Sequence, residues 1–262
     1  MSPGDPVELA ALVVKESAGT PLLLATDFDG TLAAVVPSPS DAILRDDARR
    51  ALETLALRVH VAVVSGRELS DLQARVGLRG ITLAGEHGGD LLLPGGERQG
   101  LGLTDAQRNA LEGFGRYAEL LLAGTGGEVE RKRLGVAAHT RRIEEGAQRR
   151  FEETLLFRAR ELAPLGLDVL EGKRVIELRP GGASKGLGLR RIRELVAPTA
   201  YVLAIGDDQT DEELFREAIR EGGHAVKVGM GETIAQSRVA GPEDVARLLE
   251  ALAERLHSSE GR

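Results

Sequence analysis

The chain has 262 residues, 42 % of them hydrophobic, with a formal net charge of −7 and a pI near 5.4. This length allows one large domain or two modest ones, and the acidic balance argues against nucleic acid or an anionic membrane as the main partner. The absence of cysteine excludes disulfides, thiolate metal ligands and cysteine nucleophiles.

The sequence carries no recognisable targeting or membrane signal. No apolar stretch approaches the roughly 20 residues of a membrane span, and the first ten residues lack the basic and apolar regions of a secretion signal. We therefore expect a cytoplasmic protein that is a monomer or a weak homo-oligomer.

Short apolar strands and amphipathic helices alternate in the first third of the chain. Strands are predicted over residues 22–26, 59–64, 81–85 and 91–93, and helices over residues 41–57 and 69–76. This alternation predicts a parallel sheet with helices on its faces. Such sheets place their chemistry beyond the carboxyl ends of the strands, which is where Asp27, Asp29, Ser65 and Arg67 stand.

The pattern changes near Thr104, where Gln107 three residues later predicts a capped helix start. This helix is followed by a strand-like stretch over residues 129–141, a helix over 145–163 and a hairpin that pairs 167–170 with 174–178. We interpret residues 104–180 as an inserted α+β domain. The first pattern then resumes, with helices over residues 184–196, after 208 and over 242–256, and strands over 201–205 and 224–228. Residues 1–103 and 181–262 are therefore predicted to form the core domain.

Two aspartates follow the first strand in "LLLATDFDGTL". Asp27 and Asp29 can point into one pocket if the chain turns at Gly30, and a divalent cation would relieve their repulsion. Mg²⁺ prefers such oxygen ligands, and a carboxylate can attack phosphorus to give an aspartyl-phosphate. Turn and helix-capping roles are the alternative.

The stretch "GDDQTDEE" adds a second acidic group after the strand over 201–205. Asp211 suits the first turn of a helix, where the dipole favours negative charge. Asp207 and Asp208 lie before that turn, so a second acidic pair that completes a metal site explains them better.

A lysine and a serine complete the pattern. Lys185 lies in "GGASKG" and is one of five lysines against 29 arginines, so we expect its ammonium to stabilise a charged phosphoryl oxygen. Ser65, in "VVSGR", is placed to bind an anion at a helix N-terminus. The alternatives are an exposed first-turn lysine and a simple N-cap serine.

Taken in order, the strand–DFDGTL, strand–SGR, lysine and strand–GDDxxD segments resemble the four motifs of the haloacid dehalogenase-like (HAD) phosphohydrolases. The resemblance implies a Rossmann-like core of the HAD fold, Mg²⁺ as cofactor and a phospho-aspartate intermediate. It implies Asp27 as nucleophile and Asp29 as general acid/base. It further implies a phosphate site of Ser65, Gly66, Arg67 and Lys185, and a metal site of Asp27, Asp29, Asp207 and Asp208 supported by Asp211.

Further segments resemble the trehalose-6-phosphate phosphatases among these enzymes, namely "GEHGG", "VERK", "HTR", "ELRPGGASKG" and "GDDQTDE". This resemblance implies that the inserted domain is a cap that selects a phosphosugar. The residues it implies as substrate contacts are Glu130, Lys132, His139, Arg141 and Glu177. His87, in "GEHGG", is a further candidate for contact with the substrate, and bracing of the loop after the third strand is its alternative role.

Thr140 departs from that family, which commonly has tyrosine there, and this weakens the case for trehalose as the sugar. Lys132 and His139 are seven residues apart, so a regular strand would place them on opposite faces unless a bulge or turn near Gly135 intervenes. His139 as a sheet-surface residue and Glu130 with Lys132 as an ion pair of little energy are the alternatives.

The expected activity is Mg²⁺-dependent hydrolysis of trehalose 6-phosphate. Alternatives are another HAD phosphatase acting on sucrose phosphate or a glucosyl- or mannosyl-glycerate phosphate, a phosphomutase, and a catalytically silent sugar-phosphate sensor.

Overall fold

The computed structural model describes residues 3–36, 39–172 and 174–259, which fold into two compact units. One unit contains the residues up to Gly100 together with those from Ser184 onward, and the other is Leu101–Ala183. Across the described residues, every helix is too short or too polar to cross a membrane.

The described residues form strands and helices that are numbered here in chain order. The strands are β1 (Leu22–Thr26), β2 (His60–Val64), β3 (Thr82–Gly85), β4 (Asp90–Leu92), β5 (Arg98–Gly100), β6 (Glu128–Arg131), β7 (Val136–His139), β8 (Leu167–Gly172), β9 (Val175–Pro180), β10 (Tyr201–Gly206), β11 (His224–Val228) and β12 (Ser237–Val239). The helices are α1 (Pro6–Glu16), α2 (Asp46–Ala56), α3 (Leu69–Val76), α4 (Asp105–Leu122), α5 (Glu145–Leu162), α6 (Lys185–Val196), α7 (Asp211–Arg220) and α8 (Pro242–Ser259).

The first unit is built on an eight-stranded sheet of order β12-β11-β10-β1-β2-β3-β4-β5. The pairs from β12 to β3 are parallel, and β4 and β5 extend the sheet in antiparallel fashion. Leu24 on β1 packs with α1, α2, α3 and α8, whereas its neighbour Leu23 packs with α6 and α7. Since successive strand residues face opposite sides, helices cover both faces. The predicted α/β class with a parallel Rossmann-like sheet is confirmed.

Some elements of this unit are absent from the sequence-based prediction. Helix α1 begins at Pro6, and the side chain of Asp5 accepts a hydrogen bond from the backbone N–H of Val7 at 2.7 Å. Asp followed by Pro is a recognisable helix start, so a signal for α1 was available. The strands β5 and β12 have three residues each, too few for a periodic pattern to develop.

The second unit is a four-stranded antiparallel sheet of order β6-β7-β9-β8. Its apolar face, with Ala138 and Ile176, packs against α4 and α5. On the other face Ala137 pairs with both Glu130 and Glu177. Directly paired residues of neighbouring strands share a face, so this second face is polar.

The stretch predicted as strand over residues 129–141 is two strands joined by a tight turn. The backbone N–H of Lys132 donates to the carbonyl of Gly135 at 2.9 Å, and β6 then pairs with β7 from Arg131 opposite Val136. A Cβ at position 135 would lie 2.9 Å from the carbonyl oxygen of Leu178, so the turn can pass this close to β9 only with glycine there.

Candidate active site

Three strands of the large sheet bring the predicted core residues to one edge. On β1, Thr26 pairs with Val63 of β2 and with Ile205 of β10. Asp27 is the residue that follows β1, and its backbone N–H donates to the carbonyl of Ile205 at 2.9 Å. The segments that follow β2 and β10 therefore begin on either side of Asp27, as expected for a parallel sheet.

Lys185 joins the two acidic motifs. Its Nζ lies 2.7 Å from Oδ1 of Asp27 and 2.7 Å from Oδ1 of Asp211, and all three side chains are buried. Burial alone would lower the pKa of Lys185, but the charges of Asp211 and Asp27 outweigh it and raise that pKa. Lys185 is thus a buried, permanently charged group and not an exposed first-turn lysine.

Asp207 completes a compact acidic group. Carboxylate oxygens of Asp27, Asp207 and Asp211 all lie within 4.8 Å of one another. The hydroxyl of Thr31 donates to Oδ1 of Asp207 at 3.3 Å. Gly30, with φ +81°, passes so close that a Cβ would lie 2.2 Å from Oδ2 of Asp207. The glycine and threonine of the first motif therefore contact the acidic residue of the last.

The local electrostatics favour a bound cation. Burial is the main cause that raises the pKa of Asp27 well above its usual range, and the negative charges of Asp211 and Asp207 add to it. Burial, followed by the charge of Asp211, raises the pKa of Asp207 to about 6. Each carboxyl is thus harder to ionise than a free aspartate, and a bound cation would offset this penalty.

The donor set fits Mg²⁺ in its chemistry, because all the candidate ligands are hard carboxylate oxygens. Asp211 already uses Oδ1 for Lys185 and Oδ2 for the backbone N–H groups of Asp207 and Asp208. Its engaged oxygens suit a supporting role. Asp27 and Asp207 are the members of the group best able to contribute ligand atoms.

Two other predicted ligands lie outside this acidic group. Both carboxylate oxygens of Asp29 accept hydrogen bonds from Arg67, whose Nε and Nη2 each lie 2.7 Å from one oxygen. Asp208 is exposed. Arg67 is therefore bound to the proposed acid/base residue, although the sequence pattern placed it in the phosphate site.

Ser65 and Gly66 form a short loop after β2. Ser65 is buried and its hydroxyl oxygen accepts from the backbone N–H of Arg67 at 3.2 Å. The imidazole of His87 lies against Gly66, where a Cβ would come within 2.7 Å of the ring. Glu86 and His87 have φ of +48° and +57°, a strained conformation for residues other than glycine. The loop after β3 thus holds His87 beside the predicted phosphate loop.

The polar face of the small sheet carries most of the predicted substrate contacts. Nζ of Lys132 lies 3.0 Å from Oε2 of Glu177, and both side chains are buried. Nε2 of His139 lies 3.2 Å from Oε2 of Glu130, and this hydrogen bond is the main cause that lowers the pKa of Glu130. The hairpin turn removes the face conflict between Lys132 and His139. Arg141, beyond β7, is exposed.

Thr140 is not part of that face. It is fully buried, and its hydroxyl oxygen accepts from Nε2 of Gln148 at 3.3 Å and donates to Glu152, both on α5. Thr140 therefore fixes the end of β7 to a helix.

One residue beside the acidic group was missed by the sequence analysis. Lys227 on β11 is buried, pairs with Gly206 at the end of β10, and donates from Nζ to the carbonyl oxygens of Asp207 and Asp208. A lysine inside the apolar run "HAVKV" was the available signal, since lysine is rarely buried without a specific partner.

Comparison with known proteins gives consistent results. Residues 25–247 match the family model described as trehalose-phosphatase. The chain is 36 % identical over 241 residues to a trehalose-phosphate phosphatase of Mycobacterium marinum, covering 88 % of this chain and 61 % of that protein. It is 37 % identical to an uncharacterized glycosyl hydrolase of Mycobacterium tuberculosis, covering 87 % of this chain and 18 % of that protein. The chain thus spans less than two thirds of the length of these relatives.

A solved structure shares the fold. The C-terminal domain of the Candida albicans trehalose-6-phosphate phosphatase superposes with a TM-score of 0.82 at 24 % identity, covering 97 % of this chain and 98 % of that chain.

Proposed function

The chain belongs to the trehalose-phosphatase family, and from this premise we propose that it hydrolyses trehalose 6-phosphate to trehalose and inorganic phosphate. The observation that carries the proposal is the position of Asp27. It is buried at the carboxyl end of β1, 2.7 Å from the ammonium of Lys185 and beside Asp207. A nucleophile, a fixed cation and a metal-binding carboxylate together suit phosphoryl transfer.

In the first step we propose that a carboxylate oxygen of Asp27 attacks the phosphorus atom. The bond between Asp27 and phosphorus forms while the bond from phosphorus to the sugar oxygen breaks. Asp29, protonated on one oxygen and held by Arg67 through the other for this step, gives its proton to that oxygen of the sugar, which leaves as the free hydroxyl. The product on the protein is an aspartyl-phosphate, so one difficult displacement is divided into two easier ones.

In the second step water attacks the phosphorus of the aspartyl-phosphate. Asp29, now a carboxylate, accepts a proton from this water, and the bond to Asp27 breaks to release phosphate. The same side chain thus acts as acid and then as base. Arg67 holds Asp29 by both oxygens, so in this scheme Arg67 orients the acid/base group.

The remaining groups stabilise negative charge. Lys185 is buried and charged beside the point of attack, and the buried hydroxyl of Ser65 and the loop at Gly66 are proposed to bind phosphoryl oxygens. Asp27 and Asp207 would hold Mg²⁺, with Asp211 in support. When bound, this ion neutralises charge shared between carboxylate and phosphoryl oxygens.

We further propose that the second unit, with residues 104–180 as the cap domain, selects the sugar. Its polar sheet face presents two carboxylates and two basic groups, Glu130, Glu177, Lys132 and His139. Such groups can accept from and donate to sugar hydroxyls, and a site of this kind rejects analogues that leave its polar groups unpaired. His87 and Arg141 are proposed to contribute as well.

A phosphate-release screen with and without Mg²⁺ tests the proposal. The panel contains trehalose 6-phosphate, sucrose phosphate, glucosyl- and mannosyl-glycerate phosphates, and hexose 1-phosphates. We expect the highest kcat/KM with trehalose 6-phosphate and loss of activity in EDTA that Mg²⁺ restores. Preference for another ester would reassign the substrate. Conversion of a 1-phosphate to a 6-phosphate without free phosphate would indicate a mutase, and binding without turnover a sensor.

A further inference from the structure

We propose that Lys227 is a positioning residue of the metal site, which fixes the backbone of Asp207 and Asp208 so that the carboxylate of Asp207 faces Asp27. The proposal rests on the proposed function in one respect, namely that Asp207 is a metal ligand. It concerns a residue from a different strand, β11, which lies outside the acidic and phosphate-binding motifs.

The first observation is where the ammonium of Lys227 lies. Lys227 is only 4 % exposed, and on the sheet it pairs with Gly206, the residue immediately before Asp207. Its Nζ donates to the carbonyl oxygen of Asp207 and lies 3.5 Å from that of Asp208. Lys227 therefore holds the carbonyl side of this two-residue segment.

The second observation is that Asp211 holds the opposite side of the same segment. Its Oδ2 accepts from the backbone N–H of Asp207 at 3.0 Å and of Asp208 at 2.9 Å. Both backbone donors are thus bound by a carboxylate and both backbone acceptors by an ammonium. The segment follows β10 and precedes α7. These two side chains supply most of its backbone hydrogen bonds, and the carbonyl of Asp208 also accepts from the backbone N–H of Asp211 at 3.2 Å.

The third consideration is the cost of this arrangement. Burying an ammonium is unfavourable unless it is well hydrogen-bonded, and an apolar side chain of similar size would fit a buried strand at lower cost. A positive charge near a metal site also opposes cation binding by simple repulsion. Lys227 therefore assists the site by positioning the backbone and not by its charge. Its replacement should weaken Mg²⁺ binding if the positioning matters more, and strengthen Mg²⁺ binding if the repulsion matters more.

The test replaces Lys227 with methionine, which is similar in length and uncharged, and measures Mg²⁺ binding to the substrate-free protein by calorimetry. Loss of positioning should raise the dissociation constant for Mg²⁺ by about tenfold or more, as for other groups that orient metal ligands. Loss of the positive charge alone would lower this constant. Lys15, an exposed lysine on α1, provides the matched control, and Lys15→Met should bind Mg²⁺ like the wild type.

Hydrogen exchange gives a readout that needs no metal. We expect the amides of Asp207 and Asp208 to exchange faster in Lys227→Met, with unchanged exchange in β1. If the methionine variant does not fold, Lys227→Gln, whose uncharged amide nitrogen reaches one bond less far than Nζ, is measured in the same way, with smaller effects expected in the same directions. Turnover should show a raised Mg²⁺ activation constant with a smaller change in the KM for the sugar phosphate.

The outcomes separate this proposal from the proposed function. Unchanged or tighter Mg²⁺ binding together with unchanged exchange in a folded Lys227 variant would overturn the role of Lys227 while leaving the phosphatase activity intact. A wild-type protein that neither binds Mg²⁺ nor hydrolyses the sugar phosphates would overturn the proposed function. In that case the exchange of the two amides still decides whether Lys227 positions the segment.

Discussion

Arg67 binds both carboxylate oxygens of Asp29, with Nε and Nη2 each 2.7 Å from its acceptor. The third nitrogen of the guanidinium, Nη1, lies 2.7 Å from Oδ2 of Asp71, and the guanidinium stands 5.5 Å from the centre of the Phe28 ring. Such a two-point contact fixes both the direction and the plane of the carboxylate. Asp29 is thus oriented by the protein itself.

Arg67→Ala is therefore expected to impair proton transfer by Asp29. We expect kcat/KM for trehalose 6-phosphate, which reports the step in which Asp29 acts as an acid, to fall by about tenfold or more, a part of the usual contribution of a general acid. Para-nitrophenyl phosphate should be affected much less, because nitrophenolate leaves without a proton. Steady-state kinetics on both substrates provide the measurement.

The matched control for this variant is Arg75→Ala. Arg75 also binds Asp71, through Nε at 2.8 Å, and its Nη1 donates to the carbonyl oxygens of Ser40 and Ala42. Arg75→Ala should leave the activities on both substrates near those of the wild type. Equal losses of Arg67→Ala on the two substrates would contradict the orienting role and favour phosphate binding by Arg67.

Gly30→Ala should disturb the metal site in addition to straining the left-handed backbone at this position. A Cβ at Gly30 would lie 2.2 Å from Oδ2 of Asp207, whereas Gly19 has nearly the same φ of +77° and nothing within 4 Å. Gly19→Ala should cost about 1–2 kcal/mol of unfolding free energy from the left-handed backbone alone. Gly30→Ala should cost more and weaken Mg²⁺ binding by roughly tenfold or more. Urea unfolding and calorimetry check this, and equal behaviour of the two variants would refute it.

The sequence was informative about the active-site edge because strand order and turn chemistry are local features. Asp27 and Ser65 directly follow predicted strands, and Asp207 follows one after a single glycine, so their common edge could be predicted from the parallel sheet alone. The partners of these residues could not be predicted in this way. Arg67 meets Asp29 from 38 residues away, and Lys227 reaches Asp207 only because β11 pairs with β10 in one particular register.

The hairpin between β6 and β7 illustrates a different limit of the sequence. The residue pattern over 129–141 suggests a single strand. A turn at Gly135 is only one of several ways in which such a strand can be interrupted. The close approach of Gly135 to the carbonyl of Leu178 depends on where β9 lies. Packing between strands, and not local preference, therefore determined which predicted sugar contacts share a face.

Mg²⁺ binding should depend on pH through Asp207. Its folded-state pKa is raised to about 6 from a usual value of 3.8, so its contribution to metal-free stability is complete below pH 3.8 and is lost as pH rises through 6. Mg²⁺ binds the carboxylate form and must displace the proton at lower pH. The rise in Tm caused by Mg²⁺ should therefore increase from pH 5 to pH 7. Thermal unfolding at both pH values tests this, and an equal rise at pH 5 and at pH 7 would contradict it.

Substitutions on the polar face of the small sheet should impair the hydrolysis of sugar phosphates selectively. Glu177→Ala would leave the buried ammonium of Lys132 without the carboxylate that lies 3.0 Å from it, and His139→Ala would remove the hydrogen bond to Glu130. We expect each to lower kcat/KM for trehalose 6-phosphate by about tenfold or more, with little change for para-nitrophenyl phosphate. Glu119→Ala is the control, because Glu119 on α4 forms an exposed ion pair with Arg131. Equal losses on both substrates would mean that this face does not select the sugar.

Asp27→Asn should abolish turnover while preserving the fold. Loss of the nucleophile is expected to lower kcat by at least about a thousandfold. The fold should be preserved, because the amide has nearly the same shape as the carboxylate and its oxygen can still accept a hydrogen bond from Lys185. Lys185 also keeps its ion pair with Asp211.

The measurement for this variant is acid-quenched reaction with ³²P-labelled trehalose 6-phosphate. Wild-type protein should carry the label as the aspartyl-phosphate, and Asp27→Asn should not. Asp46→Asn, at an exposed position in the first turn of α2, controls for the loss of one negative charge and should behave as the wild type. Phosphate release by a folded Asp27→Asn protein at near wild-type rates would show that the phosphoryl group does not pass through this carboxylate, since an amide nitrogen in its place is too weak a nucleophile to take over the attack.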